Sequence, residues 1–200
     1  MKKVLFAFFM ALAAISFVAC SKDDDDSVVL NPDTPANPET PSDSSKILVA
    51  YFSWSGNTET IAKRIAELTG GMLYEIQPAT PYTTDYQTLA YTVARNELDT
   101  DARPALKETN ADFSQYDYVF IGCPVWWGTA PMIMSTFCEN YSFKDKTVIP
   151  FCTYLSSGRN ATIQKINSLT PNSTHLSGFG VSGSSTSGVE SWLRSINMIK

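Results

Sequence analysis

The chain has 200 residues, 44% hydrophobic and 18% charged, which is enough apolar material for one sizeable core and excludes a wholly disordered chain. Its net charge of −5 is concentrated near the start: residues 1–19 carry only Lys2 and Lys3, residues 20–45 carry seven acids against Lys22, and residues 46–200 carry 13 acids and 12 bases. A folded part so close to neutral lacks the positive footprint that neutralises a phosphate backbone, so nucleic acid is not an expected partner.

Lys2-Lys3 followed by the apolar run Val4 to Ala19, broken only by Ser16, has the basic and hydrophobic regions of a secretory signal and is short for a membrane span. The run ends in Phe17-Val18-Ala19-Cys20, which resembles the bacterial lipoprotein cleavage box, with Phe17 standing where Leu is usual. The resemblance implies that residues 1–19 are a signal peptide and that Cys20 is lipidated as the mature N-terminus; the alternative is an uncleaved anchor helix. Several acyl chains would hold the protein stably on a membrane, each buried methylene contributing about 0.8 kcal/mol.

Residues 20–45 open with Ser21-Lys22 and the acidic run Asp23 to Asp26, and carry Pro32, Pro35, Pro38 and Pro41 among Asp, Ser and Asn. Such a composition buries too little surface to order itself and reads as a disordered acidic tether, roughly 60 to 80 Å long if fully extended. An acidic run directly after a lipidated cysteine also resembles the signal by which certain Gram-negative bacteria send lipoproteins to the outer face of the outer membrane. The expected location is therefore a bacterial membrane, the outer one, and the cell surface; a plain solvated linker is the alternative reading of this run.

From Lys46 onward the pattern alternates. Ile47 to Phe52 is a short apolar run that reads as a buried parallel strand, and Ile61, Ala62, Ile65, Ala66 and Leu68 then recur at helical spacing until Gly70-Gly71 stops the helix. Met72 to Ile76 reads as a second strand, Tyr86 to Asn96 as a helix, and Tyr116 to Ile121 as a third strand. Pro131 to Tyr141 is a helix with proline at its first position, followed by a strand over Thr147 to Cys152. Helices near 161–169 and 189–198 flank a weaker strand near 177–181. Strands alternating with helices predict an α/β fold, a five-stranded parallel sheet covered on both faces, with ligands beyond the carboxyl ends of the strands.

Three loops at such ends carry unusual residues. Ser53-Trp54-Ser55-Gly56-Asn57-Thr58 combines hydroxyls, an amide and the free N–H groups of a helix start, which makes a phosphate cradle without lysine. It matches neither the P-loop nor G-x-G-x-x-G, and a simple turn with Asn57 or Thr58 as helix cap is the competing reading. Pro124-Val125-Trp126-Trp127-Gly128 puts adjacent tryptophans in a loop bounded by prolines; two neighbours in an extended segment cannot both face one core, so at least one ring is expected to meet a ligand or cover its edge, a lid over the edge of the core being the alternative. The third loop, Thr153-Tyr154-Leu155-Ser156-Ser157-Gly158, adds an aromatic ring and small polar groups.

With these three loops in place, residues 46–200 resemble the flavodoxin-like proteins, which bind FMN on a three-layer fold with strand order 2-1-3-4-5. The resemblance implies that Ser53 to Thr58 hold the FMN phosphate, and that Pro124, Val125, Trp126, Trp127 and Gly128 with Thr153, Tyr154, Ser157 and Gly158 enclose the isoalloxazine. It implies extracytoplasmic electron transfer or a small FMN-dependent oxidoreductase, with a donor and an acceptor the sequence does not name. The two ring loops hold no Asp or Glu and are followed by Arg159, which favours a reductase taking two electrons over a low-potential carrier. The competing class is a flavodoxin-fold lipoprotein that binds a ligand or partner and has lost flavin chemistry. Lys2-Lys3 is not a twin-arginine signal, so FMN would be acquired outside the cytoplasm.

Other residues point to less. His175 is the only histidine, which excludes a histidine-based metal cluster, and no G-x-S-x-G supplies a serine nucleophile. Cys123, Cys138 and Cys152 form no C-x-x-C. Cys123 and Cys152 end neighbouring strands, where a disulfide is conceivable, but buried inert thiols are the favoured reading.

Overall fold

The computed structural model describes Pro41 and residues 46–200; the expected signal peptide, Cys20 and most of the expected tether lie outside the described residues. Five strand positions lie in parallel, in the order β2 (Met72–Glu75), β1 (Ile47–Tyr51), β3 (Tyr118–Pro124), β4 (Thr147–Tyr154) and a fifth position shared by β5 (Thr174–His175) and β6 (Phe179–Ser182). This is the flavodoxin-like order expected from the sequence.

The continuous apolar runs of β1, β3 and β4 exist because both faces of the sheet are covered. Side chains alternate between faces along a strand. Leu48, Ala50, Val119, Ile121, Cys123 and Val148 accordingly meet Ile133, Met134 and Phe137 of helix α4 (Met132–Asn140) and Ile166 of α5 (Arg159–Leu169). Val49, Tyr51, Phe120, Ile149 and Phe151 face the other way, toward Ile61 and Ile65 of α1 (Asn57–Thr69) and Val189 and Leu193 of α6 (Val189–Ser195). In this second layer Gly122 stands in register with Phe151, and the Phe151 ring occupies the space where a Gly122 Cβ would be.

The fifth strand departs from the single segment near 177–181. Thr174 and His175 pair with Thr147 and Val148, whereas Phe179 to Ser182 pair with Phe151 to Tyr154. Three residues of the outer strand therefore face two of β4, a bulge centred on Pro150. Leu176 N donates to Val148 O at 3.2 Å, so the alternate residue 150 also faces the outer strand, and proline has no N–H to offer there.

The helix expected over Tyr86 to Asn96 is longer and irregular. It runs as α2 (Tyr86–Thr88), a π-helical segment (Leu89–Val93) and α3 (Ala94–Asp99). Asp85 caps it by accepting from Thr88 N at 2.8 Å. Strands β3 and β4 both run further toward their carboxyl ends than expected, to Pro124 and Tyr154.

Among the described residues the three cysteines, Cys123, Cys138 and Cys152, are free and buried, with Cys123 and Cys152 directly opposite in register. Burial raises all three thiols, Cys138 and Cys152 to about 12 and Cys123 well above its ordinary value. They should resist DTNB at mildly alkaline pH in the native protein and react once urea unfolds it, read by mass spectrometry of the labelled peptides.

Candidate functional site

The carboxyl ends of β1, β3 and β4 and the segment 86–94 enclose a cleft of about 360 Å³. Its walls include Trp54, Ser55, Asn57, Pro124, Val125, Trp126, Trp127, Thr153 and Tyr154, drawn from all three loops singled out in the sequence.

The first loop starts α1. Gly56, at φ +84°, is the N-cap and supplies no side-chain cap, so the first-turn N–H groups of a 13-residue helix stay open to an anion. Neither Asn57 nor Thr58 caps the helix, which removes the simple-cap reading of this turn. Ser53 Oγ is buried and meets no hydrogen-bond partner among the described residues. A buried, unpaired hydroxyl beside an uncapped helix start is what a bound oxyanion would satisfy.

Thr58 is 1% exposed, and its Oγ1 lies 2.8 Å from Thr153 Oγ1. This buried pair ties the start of α1 to the end of β4. Thr58→Val should lower unfolding free energy by about 1–3 kcal/mol because the Thr153 hydroxyl is left unpaired. The double change to valine at both positions should cost less than the sum of the single changes, as a urea-denaturation cycle would show.

The tryptophans divide between core and cleft, though through a turn rather than the extended segment expected. Trp126 turns inward, edge-on to Phe52 at 5.4 Å and Tyr82 at 5.2 Å, while Trp127 is 45% exposed. Residues 126–129 form a two-residue turn, Trp126 N donating to Thr129 O at 2.9 Å and Thr129 N to Trp126 O at 3.1 Å. Trp127 and Gly128 both have positive φ, +50° and +79°, the type I′ pattern. A bulky ring at positive φ is strained and needs outside support. The Trp127 indole receives it: Nε1 donates to Ala90 O at 2.7 Å, Tyr91 meets the ring edge-on at 5.9 Å and the Arg95 guanidinium lies 5.0 Å over it. Trp54 Nε1 likewise donates to Thr83 O at 2.9 Å. Two indole N–H groups thus fasten the segment 83–90 beside the cleft.

Not every expected residue lines the cleft: Ser53, Gly56, Thr58, Gly128, Ser157 and Gly158 are not among its walls. Gly158, at φ +93°, caps α5 and packs on the second loop, where an added Cβ would come 2.5 Å from Val125 Cγ1 and 3.0 Å from Gly128 Cα. Gly128 and Gly158 thus let two loop backbones touch and contribute no wall of their own. Ser157 is exposed outside the cleft. Arg159 turns away, lying across Gly180 and donating to Gly178 O at 3.0 Å, because the missing side chain of Gly180 leaves it that path. The walls also include Leu155 of the third loop and Tyr86, Leu89, Ala90, Tyr91 and Ala94, which the loop motifs did not indicate. Aromatic and small residues repeating on a helix that otherwise lacks a buried stripe were the available signal.

No curated protein matches the chain. The family model described as flavodoxin matches residues 46–196. A solved structure described as a flavoprotein of Bacteroides uniformis ATCC 8492 is 36% identical, with 76% of this chain and 99% of that one covered at a TM-score of 0.70. A second, from Bacteroides eggerthii DSM 20697, is also 36% identical, with 76% and 98% covered at a TM-score of 0.69. A flavoprotein of Lactobacillus acidophilus NCFM, in complex with FMN, shares the fold at 24% identity, with 74% and 98% covered and a TM-score of 0.61. With its strand order, its open helix start and this match over residues 46–196, the chain belongs to the flavodoxin family.

Proposed function

We propose that this flavodoxin binds FMN in the cleft and works outside the cytoplasm in electron transfer or as a small FMN-dependent oxidoreductase. The observation that carries the reading is the unpaired Ser53 Oγ at the uncapped start of α1. An oxyanion there gains a hydroxyl and several backbone donors, and the helix dipole favours its charge. Ser53, Ser55, Gly56 and Asn57 would hold the phosphate, with Thr58 fixed behind them by Thr153. Trp127, Tyr154 and Trp54 would flank a flat ring system, which suits the apolar character of those walls. Bound FMN supplies reversible electron and hydride chemistry that no side chain here offers.

The cleft walls contain no Asp, Glu, Lys, Arg or His. The carboxylate-free lining supports the two-electron reading, while Arg159, directed away, does not contribute to it. The Lactobacillus flavoprotein's complex with FMN supports the cofactor at the level of shared fold.

The direct test is titration of the full chain with FMN while following flavin fluorescence. Quenching that saturates at one FMN per chain is expected. Unquenched flavin at tens of micromolar protein would instead favour a ligand-binding module without flavin. For location, we propose a lipid anchor on Cys20 in the outer membrane, facing the cell surface; Cys20→Ser should move the protein from the membrane to the soluble fraction on cell fractionation.

A further inference from the structure

The hydrogen bond from the Trp127 indole to Ala90 O is irregular at both ends. Trp127 sits at φ +50°, a conformation that costs a bulky residue free energy. At the other end, Leu89–Val93 is π-helical, and Ala94 N reaches back five residues to Leu89 O rather than four to Ala90 O. The Ala90 carbonyl is thereby released from Ala94 N, and Trp127 Nε1 takes it at 2.7 Å. A regular α-helix would use that carbonyl itself, so the widened turn and the indole contact depend on each other.

Little else holds the middle of this segment. Of residues 86–99, only Leu89 and Ala94 are buried. The ties at its two ends are separate: Trp54 Nε1 donates to Thr83 O at 2.9 Å, and the Tyr82 hydroxyl donates to Glu97 at 3.1 Å. The cleft wall of residues 86–94 lies between these fixed points and is fastened to the second loop by Trp127. A helix this short is marginal on its own, so the wall loosens once that fastening is lost.

We infer that the Trp127–Ala90 hydrogen bond is a sprung latch: it keeps the 86–94 wall shut against the cleft, and its release opens the path by which FMN enters and leaves. The unfavourable φ of Trp127 and the widened turn favour release. The hydrogen bond, the Tyr91 ring and the Arg95 guanidinium over the indole favour closure. On release Ala94 N can return to Ala90 O at regular α spacing, so the open state keeps that carbonyl paired. The inference rests on FMN occupying the cleft, as proposed above, and adds how its wall moves.

The test compares the full chain with Trp127→Phe, which keeps a ring at an exposed position and removes the donor, so thermal melts should match. Without FMN, hydrogen exchange over residues 86–95, read by mass spectrometry, should be about fivefold faster in the variant while β3 and β4 stay as in the parent. In stopped-flow mixing with FMN, association and dissociation should both quicken about fivefold and the dissociation constant should hold, since a latch acts on passage in both directions. Arg95→Gln, outside the cleft walls, should act in the same direction by a smaller factor. Faster dissociation alone would make Trp127 an ordinary stacking wall and overturn the latch; so would FMN rates, or exchange over 86–95, that match the parent. If neither protein takes up FMN while 86–95 still exchanges faster in the variant, the latch stands and the FMN reading falls, so the two failures are distinguishable.

Discussion

Gly122→Ala is expected to lower the melting temperature by about 10 °C. Gly122 lies on β3 opposite Phe151 of β4, both fully within the layer beneath α1 and α6. The added Cβ would fall inside the Phe151 ring, which has Val49, Ile149 and the helices around it and no solvent to move into. Overpacking of such a core costs about 3 kcal/mol, and for a domain of this size each kcal/mol shifts the melting temperature by about 2–4 °C. The check is a thermal melt by circular dichroism. The double change Gly122→Ala with Phe151→Leu, which frees the space, should recover part of the loss; a single variant melting with the parent would show that the ring swings aside without penalty.

Ser53→Ala separates binding from folding. Its Oγ has no partner, so removing it should leave urea stability unchanged or slightly raised. If the hydroxyl serves a phosphate, FMN affinity should fall about 10- to 100-fold, since a hydrogen bond to a charged group contributes about 1.5–3 kcal/mol. Riboflavin, which has the ring and no phosphate, should bind parent and variant alike. A parallel loss for both flavins would place the effect on the loop's shape rather than on the phosphate.

How much of this was legible depended on which contacts were local. The sheet was readable because β1, β3 and β4 are buried on both faces and so appear as unbroken apolar runs bounded by Gly, Ser and Pro. The first two loops were readable because strand ends in a parallel sheet gather at one edge. The fifth strand was harder: its bulge answers to Pro150, a residue on a different strand. The missed wall, Tyr86 to Ala94, has the same cause. Its place is set by Trp54 and Trp127 reaching across from other loops to Thr83 and Ala90, contacts 29 and 37 residues apart in sequence. Thr58 was picked out as a phosphate ligand, and only the fold reveals Thr153 as its partner.

The broken outer strand also bears on how copies of this protein meet one another. An uninterrupted sheet margin is a template on which a neighbouring chain can add a strand. Here the outer margin consists of a two-residue piece and a four-residue piece offset by one residue, and β2 at the opposite margin is also only four residues long. Neither offers the length or flatness that strand addition needs, so the proline that interrupts the ladder also guards against clumping.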